Sequence, residues 1–480
     1  MADNKVTKEY VEALENELLA SLERERKLFD EELSLLGFIN KKIKKTKIYK
    51  NIISNPDSKA GSVVRAPRSI YRLIKNPEVR KSLLQKKTIN NTLVENAENG
   101  HFLEPWMVDV DVRINVVKNA LREGRKLVLY FVEKPDSSTF RYRCYNTFEA
   151  TKKSAKWQAV YFFKDEIRHV ETLLPKAAVV IFGRQSGQEK LVERLTKLAH
   201  ENKIKVGLDI DDLVFDLKYL DVVLDTIGDK VNRGYWMAYF ASVQKMAKQM
   251  DFFITTNDFL ADKIKESFDK PCGVIRNSLN DEQIEASLAY INRKEQQKDK
   301  FVIGYFSGSP THAKDFAVAE PEIVKFLHEH DDVILNVVGY MKFSKGAEKL
   351  VDAGRIKFLP MVDFRKLQRL MAEVDINIAP LLINDFTNCK SELKFFEAAV
   401  VETPTIASPT YTFKKAISDG KNGFLAEAGE WYDKIEYLYR RPEERKKIAK
   451  NAREYALKHY YGEEFLKEVE GVYELFGRNK

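Results

Sequence analysis

Cysteine is scarce in this sequence. Three occur in 480 residues, Cys144, Cys272 and Cys389, far apart and with no C-x-x-C pair. That excludes a disulfide framework and a zinc cluster, and a reducing cytoplasm is the expected setting. Long apolar runs are missing too. One of the longest, Ala177–Phe182, has six residues, against about 18 for a membrane span. Met1-Ala2-Asp3-Asn4-Lys5 leads into a charged segment without an apolar signal core. Net charge is absent from most of the chain. The total is +8, but residues 1–37 hold 5 basic and 10 acidic side chains and residues 38–90 hold 15 and 2, so residues 91–480 sum to zero. A neutral body excludes an extended nucleic-acid track, which needs many phosphate contacts. No aromatic-rich recognition motif accompanies the lysines of residues 41–87, so no nucleic-acid partner is expected.

What is present is a chain with 44% hydrophobic and 32% charged residues. It can bury sizeable cores, and its length suits two or three domains. Residues 1–37 read as a helix: Leu18, Leu22, Phe29, Leu33 and Leu36 recur at spacings of three, four and seven. Residues 5–36 form either a short coiled coil, joining copies of the chain, or a helix packed on its own body. Residues 38–110 begin with Asn40-Lys41-Lys42-Ile43-Lys44-Lys45, where apolar residues interleave with lysines. An anionic surface, such as the inner face of the cell membrane, suits residues 41–87. A solvated, lysine-rich connector is the alternative.

From about residue 112 strands and helices alternate. Leu127–Val132, Ala177–Phe182, Ile204–Leu208 and Phe252–Thr255 read as strands, with helices at Glu189–His200 and Trp236–Met250. After a lysine- and glutamine-rich link the pattern restarts with Phe301–Phe306, Val333–Val338, Ile356–Phe358, Ile376–Ala379 and Thr405–Ala407. The expected fold is α/β, with two doubly wound parallel sheets over residues 111–295 and 296–455. Residues 456–480 read as a closing helix that packs back on the first of these domains. Two such domains make a cleft, and parallel sheets bind ligands at the C-terminal ends of their strands.

Four segments carry candidate chemistry. Ser307-Gly308-Ser309 follows a strand, and its small residues let backbone N–H groups approach a phosphate; Lys314 follows within reach of the same anion. Lys390, Ser391, Lys394 and Glu397 fall in a polar loop and the helix after it. The first turn of that helix is expected to hold Lys390 and Ser391, and one helical strip to carry Lys390, Lys394 and Glu397, which suits either a diphosphate with a ribose or a surface Lys–Glu pairing. Asp209-Ile210-Asp211-Asp212 ends another strand; its three carboxylates suit a metal ion, base chemistry in a cleft, or a helix cap. Arg141 and Arg143 follow the first strand and Arg184 the second, placed to meet an anion or an acidic neighbour.

The order of these pieces resembles the nucleotide-sugar half of family-4-type (group 1) glycosyltransferases of the GT-B fold. Asp375-Ile376-Asn377-Ile378-Ala379-Pro380-Leu381 and Ile417-Ser418-Asp419-Gly420-Lys421-Asn422-Gly423 are similar to that family's later segments. The resemblance spans about residues 125–460. It implies a sugar transferase with a Rossmann-like acceptor domain followed by a donor domain, using a nucleotide-diphosphate sugar as co-substrate with no cofactor and no catalytic metal. Retention of anomeric configuration is implied as well. By position, Lys314 would hold the diphosphate and Glu397 the ribose. The first glutamate of the family's E-x7-E motif is replaced by Cys389, and Gly308 stands near its loop arginine. A K-S-x-L-K-x-x-E subgroup shows the pattern seen here, with Lys390 and Lys394 in place of the lost cation. The D-x-D-D-L-x-F motif at Asp209–Phe215 is similar to one in bacterial surface-polysaccharide transferases. The implied acceptor is a growing, lipid-linked surface glycan such as capsule or O-antigen. The departures leave a second expectation open: a degenerate domain that binds glycan or scaffolds an assembly complex.

Overall fold

A computed structural model describes residues 110–478 apart from 133–138, 185–188, 229–231, 292–299, 308–312, 340 and 342. The coiled-coil and membrane expectations for residues 1–109 lie outside the described residues. The first described helix is Val110–Arg122. Twelve strands follow. They are β1 Lys126–Val132, β2 Trp157–Phe163, β3 Ala177–Gly183, β4 Val206–Asp209, β5 Phe252–Thr255 and β6 Cys272–Val274, then β7 Phe301–Ser307, β8 Val333–Gly339, β9 Ile356–Leu359, β10 Ile376–Ala379, β11 Thr405–Ala407 and β12 Phe424–Leu425.

Every pairing is parallel. The orders are β2-β1-β3-β4-β5-β6 in one sheet and β12-β11-β10-β7-β8-β9 in the other. Each is a doubly wound, Rossmann-like sheet, the architecture that the alternating pattern and the resemblance implied. Helices cover both faces, so the inner strands are largely apolar; β1 is buried at six of seven positions and β2 at all seven. In both sheets the order reverses beside the first strand, between β1 and β3 and between β7 and β10. Loops leaving the C-terminal ends of those strands diverge there and open a crevice.

β2 was not anticipated. Trp157-Gln158-Ala159-Val160-Tyr161-Phe162-Phe163 has no period-2 alternation, because both its faces are buried. Its aromatic and β-branched content was the available signal.

The chain ends on the first domain. In the helix Gly462–Phe476, Phe476 stacks on Phe252 at 4.1 Å between ring centroids, and the Tyr473 hydroxyl lies 3.0 Å from that of Tyr130. The helix therefore completes the first domain's core although it follows the second in sequence. Phe476→Ala should cost about 3–5 kcal/mol, the usual range for deleting a buried ring. A urea titration of the folded protein reads it, as a lowered midpoint with an unchanged slope.

Candidate functional site

The two sheets point the C-terminal ends of their strands at one another. Many side chains bridge them, Lys263 to Asp385 and Lys415 to Asp258 among them. Lys314 Nζ donates to the Asp225 carbonyl at 2.9 Å, and Lys390 Nζ to Asp212 Oδ1 at 2.5 Å. Asn384 Nδ2 donates to Thr226 Oγ1 at 2.8 Å, and Asn257 Nδ2 to the Cys389 carbonyl at 2.9 Å. Asn277 Nδ2 donates to Ser391 Oγ at 2.8 Å. Arg141 and Tyr142 both donate to Glu397 Oε1, the arginine at 3.2 Å. Lys314, Lys390 and Glu397 thus all reach across the gap between the domains.

The loop after β1 explains part of this. It enters the Asn146–Thr151 helix through a π-helical turn, Arg141–Tyr145. A π turn adds a residue to the helical repeat and re-aims its side chains. Here it sends Arg143 inward and Arg141 with Tyr142 across the gap. Tyr142 enters the second domain's apolar cluster, edge-on to Phe396 at 6.2 Å. The Arg141 guanidinium lies between the rings of Tyr142 and Phe364, at 4.0 and 4.2 Å. Arg141 is thus held by Glu397 and two rings rather than presented to an open anion site. Burial pushes the Glu397 carboxyl up, with Arg141 opposing. A ribose at Glu397 would have to replace contacts that Arg141 and Tyr142 now make.

Two of the residues expected in the cleft are buried instead. Asp209 and Arg143 are each only 3% exposed. Arg143 Nε and Nη2 grip the two Asp209 oxygens at 2.8 and 3.2 Å, while Nη1 donates to the Ile275 carbonyl at 2.6 Å and to Asn277 Oδ1 at 3.1 Å. Asp209 ends β4, and a guanidinium matches a carboxylate in two parallel bonds. The pair pins the loop after β1 to β4 and the inter-domain link. It sits behind the cleft and does not line it.

Asp211, Asp212 and Arg184 remain at the surface of the gap. Arg184 Nη1 lies 3.1 Å from Asp211 Oδ1 and 2.9 Å from Asp212 Oδ2, and Thr139 Oγ1 donates to Asp211 at 2.9 Å. Neither aspartate caps a helix. Burial opposes ionisation of Asp212, but Lys390 and Arg184 outweigh it and hold its pKa down to about 2. Asp212 is therefore ionised and weakly basic, a partner for cations rather than a proton acceptor near neutrality.

The second domain supplies the lysines. Lys390 and Ser391 do not lie in a helix as the spacing implied. Asn384 caps a short helix, Asp385–Asn388; the chain turns, and the next helix is Leu393–Ala399. Lys390 thus leaves the strip shared by Lys394 and Glu397 and points at Asp212, its ammonium 4.2 Å over the Phe386 ring. Lys394 Nζ is buried without a hydrogen bond, 5.1 Å over the Tyr305 ring. Burial lowers its pKa to about 8, with Asp315 opposing. Ser307 closes β7 and is buried; Gly308 and Ser309 lie outside the described residues. Asp315, which the sequence reading did not single out, is buried beside the gap and accepts from the Leu382 N–H at 3.0 Å.

A cavity of about 430 Å³ lies in this gap. Arg184 and Asp212 line it from the first domain, and Asp315, Phe386, Thr387 and Lys390 from the second. Among the described residues, no group of three or more His, Cys, Asp or Glu is placed to hold a metal ion, and no helix is long and apolar enough to cross a membrane. What the cavity offers is Lys390 on one wall and Arg184 with Asp212 on the other. That arrangement can take a polyanion on the first wall and hydroxyl groups on the second.

Residues 300–441 match the family described as Glycosyl transferases group 1. No curated protein matches the chain. Among solved structures it is similar to HepE of Anabaena in complex with UDP, at 15% identity, covering 72% of this chain and 98% of that one, with a TM-score of 0.49. It is similar to sucrose-phosphate synthase of Thermosynechococcus elongatus at 12% identity, covering 73% and 99%, with a TM-score of 0.49. The third is WaaG, a glycosyltransferase involved in lipopolysaccharide biosynthesis, at 12% identity, covering 73% and 99%, with a TM-score of 0.48.

Proposed function

We propose that this chain, whose residues 300–441 carry a group 1 glycosyltransferase domain, moves a sugar from a nucleotide-diphosphate sugar to a glycan hydroxyl. The observation that carries this reading is half-buried Lys390, lining a cavity at the C-terminal ends of both sheets, with the buried Lys394 ammonium four residues further on. As the bond between sugar and diphosphate breaks, negative charge builds on the leaving group. Ammonium groups already in place stabilise that charge without reorganising. In the free protein Asp212 occupies Lys390. A diphosphate, with more charge and more acceptor oxygens than one carboxylate, would draw Lys390 away and leave Asp212 to Arg184. Lys314, held at the end of the Leu220–Ile227 helix, is assigned to the same anion, and Glu397 to the ribose.

The acceptor side is the Asp211, Asp212 and Arg184 cluster, whose oxygens and guanidinium suit sugar hydroxyls. Retention of configuration, transfer without a catalytic metal, and a lipid-linked surface glycan as acceptor belong to the proposal through the family resemblance. Calorimetric titration with UDP, GDP and dTDP tests it, followed by a screen of nucleotide sugars for hydrolysis. One nucleotide should bind. Lys390→Ala should weaken it by roughly 10- to 100-fold, the scale of one charge-assisted hydrogen bond. If all three nucleotides fail to bind, the transferase reading is wrong, and a glycan-binding scaffold takes its place.

A further inference from the structure

The first domain's side of the cavity also carries three aromatic rings, from a helix that the transfer reading has so far not used. Asn232 starts the helix Arg233–Lys248, its side chain accepting from the Tyr235 N–H at 3.0 Å. The first turns then present Tyr235, Trp236 and Tyr239. The rings of Tyr235 and Tyr239 are 12° from parallel at 6.5 Å, and Trp236 stands edge-on to Tyr239 at 5.9 Å. All three line the same cavity as Arg184, Asp212 and Lys390.

These rings are not needed to hold the helix down. Phe240, Val243, Met246 and Ala247 face the core and do that. Tyr235 is 64% exposed, and large apolar faces left in water cost free energy unless a ligand covers them. The mixture is selective. A pyranose has one face of C–H bonds and a rim of hydroxyls. The C–H face, slightly positive, lies on the negative face of an aromatic ring. The rim then meets hydrogen-bonding groups, and Asp211, Asp212 and Arg184 are beside the rings.

Charge narrows the class further. With Lys390 committed to the donor, the acceptor side holds two carboxylates against one guanidinium. An anionic sugar would meet net repulsion there, and a neutral one would not.

Resting on the transfer reading above, we propose that Tyr235, Trp236 and Tyr239 form the platform on which the neutral terminal sugar of the acceptor lies. Asp211, Asp212 and Arg184 fix its hydroxyls, and exposed Tyr235 receives the next ring of the chain. The acceptor is a neutral-ended oligosaccharide rather than a monosaccharide or a uronate.

Trp236 supplies the readout. Of the other three tryptophans, Trp157 and Trp431 are 1% and 0% exposed, and Trp106 is removed by Trp106→Phe. In that background, neutral oligosaccharides of glucose, galactose and N-acetylglucosamine, two to four rings long, are titrated against tryptophan emission. Oligouronates and UDP serve as comparators. At least one neutral series should shift the emission saturably, more tightly for longer chains. Tyr235→Ala and Tyr239→Ala should each weaken that binding roughly tenfold, the scale of one ring stacked on an aromatic face. Thermal melting confirms that the variants fold. The platform is refuted if no neutral series shifts the emission, if UDP alone does so, if uronates bind more tightly, or if Tyr235→Ala leaves the affinity unchanged. Failure of nucleotide binding by calorimetry, with oligosaccharide binding intact, would sink the donor reading and spare this one.

Discussion

Lys394→Met should make the ligand-free protein more stable and weaken its nucleotide binding by about 100-fold or more. Both halves follow from one observation. The Lys394 ammonium is buried, makes no hydrogen bond, and has its pKa brought down to about 8 from an ordinary 10.5. At neutral pH the fold therefore holds a charge that it stabilises less well than water does. A difference of that size corresponds to roughly 3 kcal/mol. Methionine keeps most of the stem's volume and removes the charge, losing only the contact with the Tyr305 ring. The melting temperature should rise by about 5–10 °C for a domain of this size. The bound state reverses the balance. A diphosphate supplies the missing partner, and removing one member of a buried charge pair costs about 2–5 kcal/mol.

The same group sets a pH dependence. Its folded pKa is lowered, so between about pH 8 and 10.5 the unfolded chain binds more protons, and the penalty in the folded state fades as pH rises. Nucleotide affinity moves the other way, falling above about pH 8 as the ammonium loses its proton. Calorimetry from pH 6.5 to 9.5 on wild type and variant reads both. A variant that melts lower without ligand, or binds nucleotide as tightly as wild type, would remove Lys394 from the site.

The second large effect is structural. Arg143→Met should lower stability by about 3–5 kcal/mol, because it strands the buried Asp209 carboxylate. It also cuts the bonds to Ile275 and Asn277 and, through Asn277, the link to Ser391 across the gap. The deficit should shrink on acidification. Burial already pushes the Asp209 carboxyl up despite Arg143. Without the arginine it protonates at a still higher pH, and the stranded charge disappears. Arg143→Met with Asp209→Leu should recover most of the loss, since two apolar groups of similar size can replace a buried pair nearly neutrally. Urea unfolding of the four proteins at pH 7 and pH 5 checks this. Equal and additive losses in the two single variants would refute the pairing.

Much of the scaffold was legible because strands and helices are local. A run such as Leu127–Val132 is buried on both faces wherever its domain folds, and its composition says so. β2 escaped because Gln158 interrupts its apolar run, and its two buried faces leave no alternation to read instead. The site divides in the same way. Lys390, Lys394, Glu397, Asp211, Asp212 and Arg184 were singled out from their places after strands that end at the crevice. Asp209 and Arg143 were read as cleft residues on the same grounds. Nothing within a few positions of either shows that they meet each other, since they are 66 residues apart. The aromatic wall was read only as a helix, because its outward face is distinguished by what stands across the gap.

The sequence alone determined two alternating α/β halves, a neutral body behind a basic segment, and a set of charged residues at strand ends. Only the tertiary structure decided which of those charges neutralise one another and which do not. Spacing fixes the face on which a side chain emerges. Its partner, its burial and therefore its pKa depend on chain brought in from elsewhere, as Asp212 and Lys390 show across 178 positions.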